Sequence, residues 1–438
     1  MKPQILIITI LICLIAVATY AEEPKTLSRT ADVVIIKAAG FGPLLGRPIS
    51  SLRAYAAGPQ GFKPIPYQID ERDAKNRLVF PYGPKAGKDE DNGLLDANDE
   101  LVFMIKDAGG KADPSEFPKG YSAAVTIDIT DPIDGGKSWV YLLDFNSPPP
   151  PSPIDYVRFD PVNNMIYAAN YVMGFDKKAP IGIGYLALTP EGGGNGKNYI
   201  DRLKIRFKAT TLGGTVKIDR NEEQFTCKVV AWIDGPVRVI RHTENRMILI
   251  LNIPTPSAML DNVYYFNHFE FPTEVSIPFD VDTLISNPEF RVSTDALCSA
   301  AGMTFRNEKN PKPVLIDGVM SEEEKKLDHS KYKWMAVTVP PPNKGAWINW
   351  LIYDKKTGAL PELFYADDKT TLDPPENEPG QCCNVGYMLK GMSKMKKGVL
   401  RLNSIMYNIP VFTEDKITEY LNILDHPLIA TVGSIFTP

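Results

Sequence analysis

The chain has 438 residues, with 48 Lys and Arg against 53 Asp and Glu and a formal net charge of −5. This slight acidic excess argues against a nucleic-acid-binding protein, which carries a clustered basic surplus. Hydrophobic residues make up 44% and charged residues 23% of the chain, a composition typical of globular proteins. Its 38 prolines favour strands and turns over long helices, and the length predicts two or three domains.

The first 21 residues have the order of a secretory signal peptide. Lys2 supplies a positive charge, residues 5–17 form an apolar run, and Thr19 and Ala21 are small residues that suit cleavage before Glu22. We therefore expect a periplasmic or extracellular protein that is not bound to a membrane once the signal is removed. The alternative is an uncleaved N-terminal anchor, although the run is short for a bilayer span.

Four cysteines follow this segment: Cys227, Cys298, Cys382 and Cys383. In an exported protein they permit two disulfides in three possible pairings, or free buried thiols. The chain has no C-x-x-C-H motif and no G-x-G-x-x-G or Walker motif, so we expect neither covalent haem nor a bound nucleotide.

The proline-rich segment 147–153 predicts a stiff linker between two domains. Residues 24–146 contain short strand-like segments separated by turn residues, which predicts an N-terminal β-sandwich. Residues 154–438 contain longer apolar strands, and this pattern predicts a larger antiparallel β-supersandwich-like domain. The expected fold class is therefore all-β with a few short helices. The strand-like segments are 32–37, 49–56, 65–69, 100–105, 123–129, 139–145, 203–209, 226–233, 237–243, 247–253, 264–271, 334–339, 346–354 and 400–407.

Two helices are predicted in the second domain. Ser321 and Glu324 have the spacing of a capping box, which favours a short helix to about Leu327. Thr413 can cap a longer helix, in which Ile417, Tyr420, Leu421 and Leu424 share one apolar face. We expect that face to pack on a sheet.

Two stretches resemble a known group of proteins. The motif Pro-x-Gln-Ile-Asp at residues 66–70, followed by Asp-Glu-Leu-Val-Phe at residues 99–103, is similar to the N-terminal β-sandwich of secreted carbohydrate-active proteins, including exolytic lyases of the rhamnogalacturonan type. Residues 234–238 (DGPVR) resemble part of their β-supersandwich. The resemblance implies a fold and no catalytic residues, because those lyases also carry a large helical domain for which this chain has no room.

An acidic segment, residues 89–100, is a candidate calcium site. Ca²⁺ prefers six to eight hard oxygen ligands, which carboxylate and amide side chains supply. The segment lacks the glycine and flanking helices of an EF-hand, and the alternative is a solvated turn. The candidate ligands are Asp89, Asp91, Asp96, Asn98 and Glu100.

Residues 264–271 (YYFNHFEF) predict a strand that places a histidine and a carboxylate on one face. Alternation puts Tyr264, His268 and Glu270 together, and side chains two residues apart can form an acid–base pair. A second predicted strand adds Arg238 and His242, so the two strands could line a concave sheet that accepts a saccharide. The alternatives are a hydrogen-bonded histidine and a solvated strand face with cross-strand ion pairs.

These patterns leave three functional hypotheses. The chain shows no catalytic motif, so we expect an exported, non-catalytic β-protein that binds a polysaccharide or a cell-surface protein. The first alternative is a carbohydrate-active enzyme, a lyase or an epimerase, with His242, His268 and Glu270 as catalytic residues and Arg238 and Tyr264 as substrate-binding residues. The second alternative is a structural or accessory protein of the cell envelope.

Overall fold

A computed structural model describes residues 23–211, 213–248, 254–354 and 358–438. In these residues the chain forms 26 β-strands in five antiparallel sheets, with two α-helices, and the all-β prediction is confirmed. The predicted signal peptide lies outside the described residues. Within them, we find no helix with the length and apolar character that a membrane span requires.

The strands are numbered in chain order. The first seven are β1 (Val33–Lys37), β2 (Leu52–Gly58), β3 (Gly61–Pro64), β4 (Tyr67–Asp70), β5 (Glu100–Met104), β6 (Tyr121–Thr130) and β7 (Lys137–Phe145). The others are β8 (Val157–Asp160), β9 (Met165–Ala168), β10 (Tyr171–Phe175), β11 (Ile183–Leu188), β12 (Ile200–Thr211), β13 (Val216–Arg220), β14 (Phe225–Asp234), β15 (Val239–Met247), β16 (Ala258–Tyr264), β17 (His268–Ile277), β18 (Ser286–Ala296), β19 (Thr304–Asn307), β20 (Val314–Leu315), β21 (Trp334–Thr338), β22 (Ala346–Tyr353), β23 (Leu360–Asp368), β24 (Gln381–Lys390), β25 (Gly398–Ile409) and β26 (Ile429–Phe436). The helices are α1 (Val281–Leu284) and α2 (Glu414–Asp425).

The N-terminal unit is a β-sandwich of two sheets. One sheet has the order β1-β5-β4 and the other β26-β6-β7-β2-β3. Their facing side chains form a continuous core that includes Phe41, Leu101, Phe103, Val125 and Leu142, all fully buried. Each such side chain contributes about 1.5–3 kcal/mol when it leaves water, so this core holds the two sheets together.

The second unit is built from three sheets around one large core. They are a nine-stranded sheet (β14-β15-β16-β17-β25-β22-β21-β19-β20), a five-stranded sheet (β13-β12-β18-β24-β23) and a four-stranded sheet (β11-β10-β9-β8). Their inner faces meet in a cluster that includes Tyr171, Phe269, Phe305, Leu351 and Leu363. The outer faces of the nine-stranded and five-stranded sheets point away from this core, and other parts of the chain can pack on them.

Strand β22 is covered on both sides from Ala346 to Leu351. Leu351 packs into the large core, while Ala346 and Ile348 pack against α2 on the outer face of the nine-stranded sheet. The helix buries Ile417 and Tyr420 there, which confirms the predicted apolar face.

The other predicted helix is much shorter than expected. Ser321 and Glu324 do exchange the two hydrogen bonds of a capping box, but only a 3₁₀ turn at Glu324–Lys326 follows. The predicted strand at 247–253 also differs, because β15 ends at Met247 and residues 249–253 lie outside the described part of the chain.

One strand that follows the predicted linker in sequence belongs to the first unit. Residues 147–153 form an irregular and mostly exposed segment, held to the first unit by a hydrogen bond from Arg53 Nε to the Pro149 carbonyl (2.6 Å). Strand β26, from the end of the chain, pairs antiparallel with β6. Residues 429–436 therefore complete the first sandwich, although the sequence pattern assigns them to the domain 154–438.

Candidate functional site

The segment 264–271 is a hairpin and not one strand. Strand β16 ends at Tyr264 and β17 begins at His268, and the Tyr265 N–H donates to the His268 carbonyl (2.9 Å) across the turn. Tyr264 therefore pairs with Phe269 and faces the core, where its hydroxyl accepts a hydrogen bond from Arg241 Nη1 (3.2 Å). The prediction that Tyr264 shares a face with His268 and binds substrate is corrected by this turn.

His268 is fully buried at the start of β17. Its ring stacks between Tyr265 (4.2 Å between ring centroids) and Tyr407 (4.3 Å). Its Nδ1 lies 2.9 Å from the Asn267 Oδ1, and the Asn267 amide nitrogen donates to the Ala31 carbonyl (3.0 Å). This second bond fixes the amide orientation, so Nδ1 carries the ring proton and Nε2 presents a lone pair. No hydrogen bond satisfies Nε2.

Glu270 follows His268 on the same face of β17, as the alternation of a strand requires. Its Oε1 lies 3.8 Å from the His268 Nε2, which is longer than a hydrogen bond. The Glu270 side chain is 26% exposed, so this carboxylate connects the buried imidazole with the surface. Pro272, Asn403 and Ile352 form the next row across the sheet, and Ile352 is 45% exposed.

Both members of the pair release a proton readily. Burial lowers the pKa of His268, because the charged imidazolium is poorly solvated there. Burial acts to raise the pKa of Glu270, but the neighbouring His268, a hydrogen bond with Asn403 and the charge of Arg238 outweigh it and hold the pKa below its usual value. At neutral pH the arrangement is a carboxylate beside a neutral imidazole, and the pair can accept one proton.

Arg238 lies in the seam between the two units, which we define by Gln68, Asp70, Glu100, Arg238 and Tyr265. Its guanidinium donates to the carboxylates of Asp70 (2.7 Å) and Glu100 (2.8 Å), and its exposed side-chain fraction is 5%. Burial acts to lower its pKa, but Asp70 and Tyr265 outweigh this and raise it. Because Arg238 is engaged in these buried ion pairs, it links the two units. It contributes to the Glu270 site through its charge.

His242 lies on the same face of the nine-stranded sheet as Glu270, two strands away. It contacts the Asp261 carboxylate (2.5 Å) on the neighbouring strand, and Phe80 of the first unit stacks on its ring (4.6 Å). The three predicted catalytic residues therefore form one pair, His268 and Glu270, and one separate residue.

Three of the five predicted calcium ligands come together. Carboxylate oxygens of Asp89, Asp91 and Asp96 lie within 4.8 Å of one another. Burial, the neighbouring Asp89 and the charge of Asp96 all raise the pKa of Asp91. The crowding of like charges is what a bound cation would relieve.

The other two predicted ligands have different roles. Asn98 donates from its amide nitrogen to the Asp73 carbonyl (3.0 Å). Glu100 is held by Arg72 (2.8 Å) and Arg238 on the far side of its strand, so its assignment as a calcium ligand is corrected. Glu100 begins β5, and strand alternation turns its carboxylate into the seam.

The four cysteines are free thiols in this structure. Cys382 and Cys383 are buried on β24, Cys227 is half-buried on β14, and Cys298 is exposed. Burial and the neighbouring Cys298 thiol raise the pKa of Cys382 to about 12.

Sequence reasoning missed an open cavity in the first unit. It has a volume of about 490 Å³ and lies on the outer face of the five-stranded sheet that contains β26. Thr126, Asp128 and Trp139 line its floor, and Ser434 and Phe436 of β26 close one side. No local signal reveals it, because β26 follows β6 by about 300 residues in the chain.

No protein-family model and no curated protein matches this chain. Solved structures do match. An α-mannosidase from Enterococcus faecalis V583 aligns with a TM-score of 0.45 and 10% identity over 95% of this chain and 46% of the mannosidase. An α-N-acetylgalactosaminidase from Bifidobacterium bifidum, solved with GalNAc, aligns with a TM-score of 0.35 and 9% identity over 60% of this chain and 38% of that one. The chain therefore spans less than half the length of these structures.

These matches correct one expectation. The matched structures are glycoside hydrolases, whereas the sequence patterns predict a non-catalytic protein. We do not retain that expectation. The enzyme alternative is argued below from the residues of this chain.

Proposed function

We propose that the protein is a carbohydrate-active enzyme that abstracts a proton from a uronic-acid residue of a polysaccharide, as lyases and epimerases do. The observation that supports this most directly is the His268–Glu270 pair, in which an unsatisfied buried imidazole nitrogen lies behind a partly exposed carboxylate. Residues 66–70 and 99–103 resemble the N-terminal β-sandwich of secreted carbohydrate-active proteins, a similarity of fold that is compatible with this class of protein.

In this proposal Glu270 is the general base and contacts the substrate. A base that takes a proton from carbon α to a carboxylate must be ionised before the reaction, and the lowered pKa of Glu270 provides this form. Once protonated, Glu270 can donate its new O–H to the free Nε2 of His268, which lies 3.8 Å away before the proton arrives. The pair thus stabilises the proton after transfer.

His268 is a positioning residue, because the tyrosine rings on both sides exclude it from substrate. Tyr265 and Tyr407 fix the plane of the imidazole, and Asn267 fixes its tautomer. The neutral imidazole can then act only as an acceptor toward Glu270. Asn403, which also hydrogen-bonds Glu270, orients the carboxylate on the open face of the sheet.

The test is a turnover assay on a panel of uronate-containing and neutral polysaccharides. A lyase produces an unsaturated uronate that absorbs ultraviolet light, and an epimerase exchanges the α-proton with deuterated solvent. We expect Glu270→Gln to lower kcat by about 10²–10⁴-fold, the usual contribution of a general base. Activity of the native protein should fall as the pH decreases, because the pair then takes up a proton.

Glu274→Gln is the matched control. Glu274 lies on the same face of β17 and forms an exposed ion pair with Arg401 (2.8 Å), so its loss should leave kcat unchanged. His268→Gln should lower kcat and shift the pH profile, with little change in KM. Equal activity of the native, Glu270→Gln and Glu274→Gln proteins would contradict the proposal, as would no turnover on any uronate polymer.

A further inference from the structure

The outer face of the five-stranded sheet in the second unit carries an unusual group of buried cations. Arg202, Lys204 and Arg206 alternate along β12 and so share this face, and Arg291 of β18 lies opposite Arg206. Lys204 is 0% exposed, and Arg202 and Arg206 are also buried. Buried charges are usually paired, and here Arg202 pairs with Asp176 (2.8 Å), Lys204 with Asp295 (2.9 Å) and Arg206 with Glu222.

An exposed loop covers these cations. Residues 373–380, which we call the strap, cross the sheet with half of the eight residues exposed, while the Glu376 side chain is only 7% exposed. Lys204 Nζ donates to the carbonyls of Asp373 (3.0 Å) and Pro375 (2.8 Å), and Arg206 Nη2 donates to the Asp373 carbonyl (3.0 Å). Arg291 holds the Asp373 carboxylate. The strap thus presents one carboxylate and two carbonyls to three cations.

The strap is also held at its other end. The carboxylate of Asp201 accepts hydrogen bonds from the backbone N–H groups of Asn377 (3.0 Å) and Glu378 (3.0 Å). These contacts and those of the cations are polar, and the strap contributes no side chain to the apolar clusters of the described residues. Because Lys204 and Asp201 are themselves buried, a ligand that displaces the strap must supply replacement hydrogen-bond partners.

Beneath the strap, three buried side chains have polar atoms without a hydrogen-bond partner. Ser293 Oγ, Asp295 Oδ1 and Asn384 Oδ1 belong to residues that are 1%, 0% and 0% exposed. Asp295 and Asn384 are directly opposite each other on β18 and β24, and Ser293 is two residues from Asp295 on the same face. Gly386 lies opposite Ser293, and the two strands approach closely there, since a Cβ atom at Gly386 would lie 2.9 Å from Ser293 Cβ. The strap therefore covers this face without satisfying it.

We propose that this face is a second saccharide site, specific for a carboxylated sugar, and that the Asp373 carboxylate occupies the place of the sugar carboxylate in the free protein. Arg206 and Arg291 present guanidinium groups, which suit a carboxylate. Asp295 Oδ2 pairs with Lys204 (2.9 Å), which leaves Asp295 Oδ1 and Asn384 Oδ1 as acceptors for sugar hydroxyl groups, and Ser293 can donate or accept. The choice of a uronate as the ligand rests on the proposed function.

The site is distinct from the Glu270 site. Glu270 lies on the outer face of the nine-stranded sheet, while Lys204 and Ser293 lie on the outer face of the five-stranded sheet. The large core separates the two sheets. A long polysaccharide could thus be held by one face of the protein while another face acts on it.

The experiment measures binding of an oligogalacturonate to the full chain by calorimetry, in a Glu270→Gln background that does not turn over the ligand. Asp373→Asn removes the internal carboxylate, so we expect it to tighten binding at least about tenfold, the effect of one charge-assisted hydrogen bond. Adding Arg291→Gln to Asp373→Asn should reverse this gain, because the ligand carboxylate then loses its partner. Glu378→Gln, an exposed change on the same strap, is the control and should bind like the parent.

A second readout reports on the strap itself. Saturating oligogalacturonate should accelerate hydrogen exchange of the Asn377 and Glu378 amides, since displacement of the strap frees them from Asp201. A neutral oligosaccharide and inorganic phosphate should neither displace the strap nor accelerate this exchange. The inference is wrong if oligogalacturonate does not bind, or if Asp373→Asn and Glu378→Gln bind it equally. Binding that depends on Asp373 in a protein without turnover would uphold this site while the proposed function fails.

Discussion

At the scale of single residues, the sequence identified the pair His268 and Glu270 but misplaced the residues around it. Two residues on one strand share a face by geometry alone, so that part needed no knowledge of the fold. Tyr264 was assigned to the wrong face because the turn at residues 265–267 contains neither Gly nor Pro, and only Asn267 has a preference for turns. The partners of Arg238 lie 138 and 168 residues away, which no local pattern reveals.

Asp99 gives a prediction about stability and pH. Burial raises its pKa to about 6, even though the backbone N–H groups of Asp96 and Arg72 donate to it. In the unfolded chain the pKa is about 3.9, so the folded state binds this proton more tightly. The stabilisation is fully present below about pH 4 and is lost as the pH rises through about 6, at about 1.4 kcal/mol per pKa unit.

We therefore expect Asp99→Asn to flatten the decline in unfolding free energy between about pH 4 and pH 6, measured by urea denaturation. Asp73→Asn is a control with the opposite sign. The hydrogen bond from Arg77 lowers the pKa of Asp73, so its contribution is lost as the pH falls. If Asp99→Asn and the native protein had parallel stability curves from pH 4 to pH 7, the assignment would be wrong.

At the scale of elements, strand patterns predicted about half of the 26 strands and none of the four-stranded sheet β8–β11. Contacts between residues distant in the sequence account for the other errors. Helix α2 was predicted almost to its ends because Thr413 and the apolar spacing are local signals. The capping box at Ser321 formed without an α-helix: only a 3₁₀ turn follows, and Glu324 within it is fixed by a hydrogen bond from the Tyr365 hydroxyl (2.5 Å). A cap lowers the cost of starting a helix but does not supply an apolar face to continue it.

The acidic loop at residues 89–96 carries the prediction about calcium. If Asp89, Asp91 and Asp96 bind Ca²⁺, stability should rise by about 2.7 kcal/mol at a hundred times Kd. Asp89→Asn and Asp91→Asn should remove most of this gain. Asp96 is a poorer test, because its carboxylate also accepts the N–H groups of Asn98 (2.9 Å) and Asp99 (3.2 Å) and shapes the turn.

Thermal melts with Ca²⁺, with Mg²⁺ and with a chelator measure this effect. Mg²⁺ should substitute poorly, because it requires a tighter octahedron and loses water reluctantly. Glu90→Gln is the matched control, since Glu90 is exposed in the same loop and outside the cluster of three carboxylates. The same melting temperature in all three conditions would leave a solvated turn as the explanation of the acidic sequence.

At the scale of the whole molecule, the first unit depends on the last residues of the chain. Strand β26 covers the edge of β6, and Val432 packs into the core of the N-terminal sandwich. Gly40 leaves room for this contact, since a Cβ atom there would lie 2.8 Å from Val432 Cγ2. Without β26, the long strand β6 would expose unpaired backbone groups, the usual origin of edge-to-edge aggregation.

This arrangement predicts that the N-terminal sandwich cannot be completed until the whole chain is available. Val432→Asp places a charge in the core of the first unit, and we expect it to lower the free energy of unfolding by about 2 kcal/mol or more and to promote association. Ile435→Asp is the control on the same strand, because Ile435 is 50% exposed and its change should cost little. Calorimetric melts and light scattering of both variants provide the measurement.

If both variants melted alike and remained monomeric, β26 would be dispensable, and residues 24–146 would form an independent domain. If only Val432→Asp is unstable, the two ends of the chain fold as one unit. The first sandwich then forms only after contacts between residues far apart in the sequence, and such contacts form slowly.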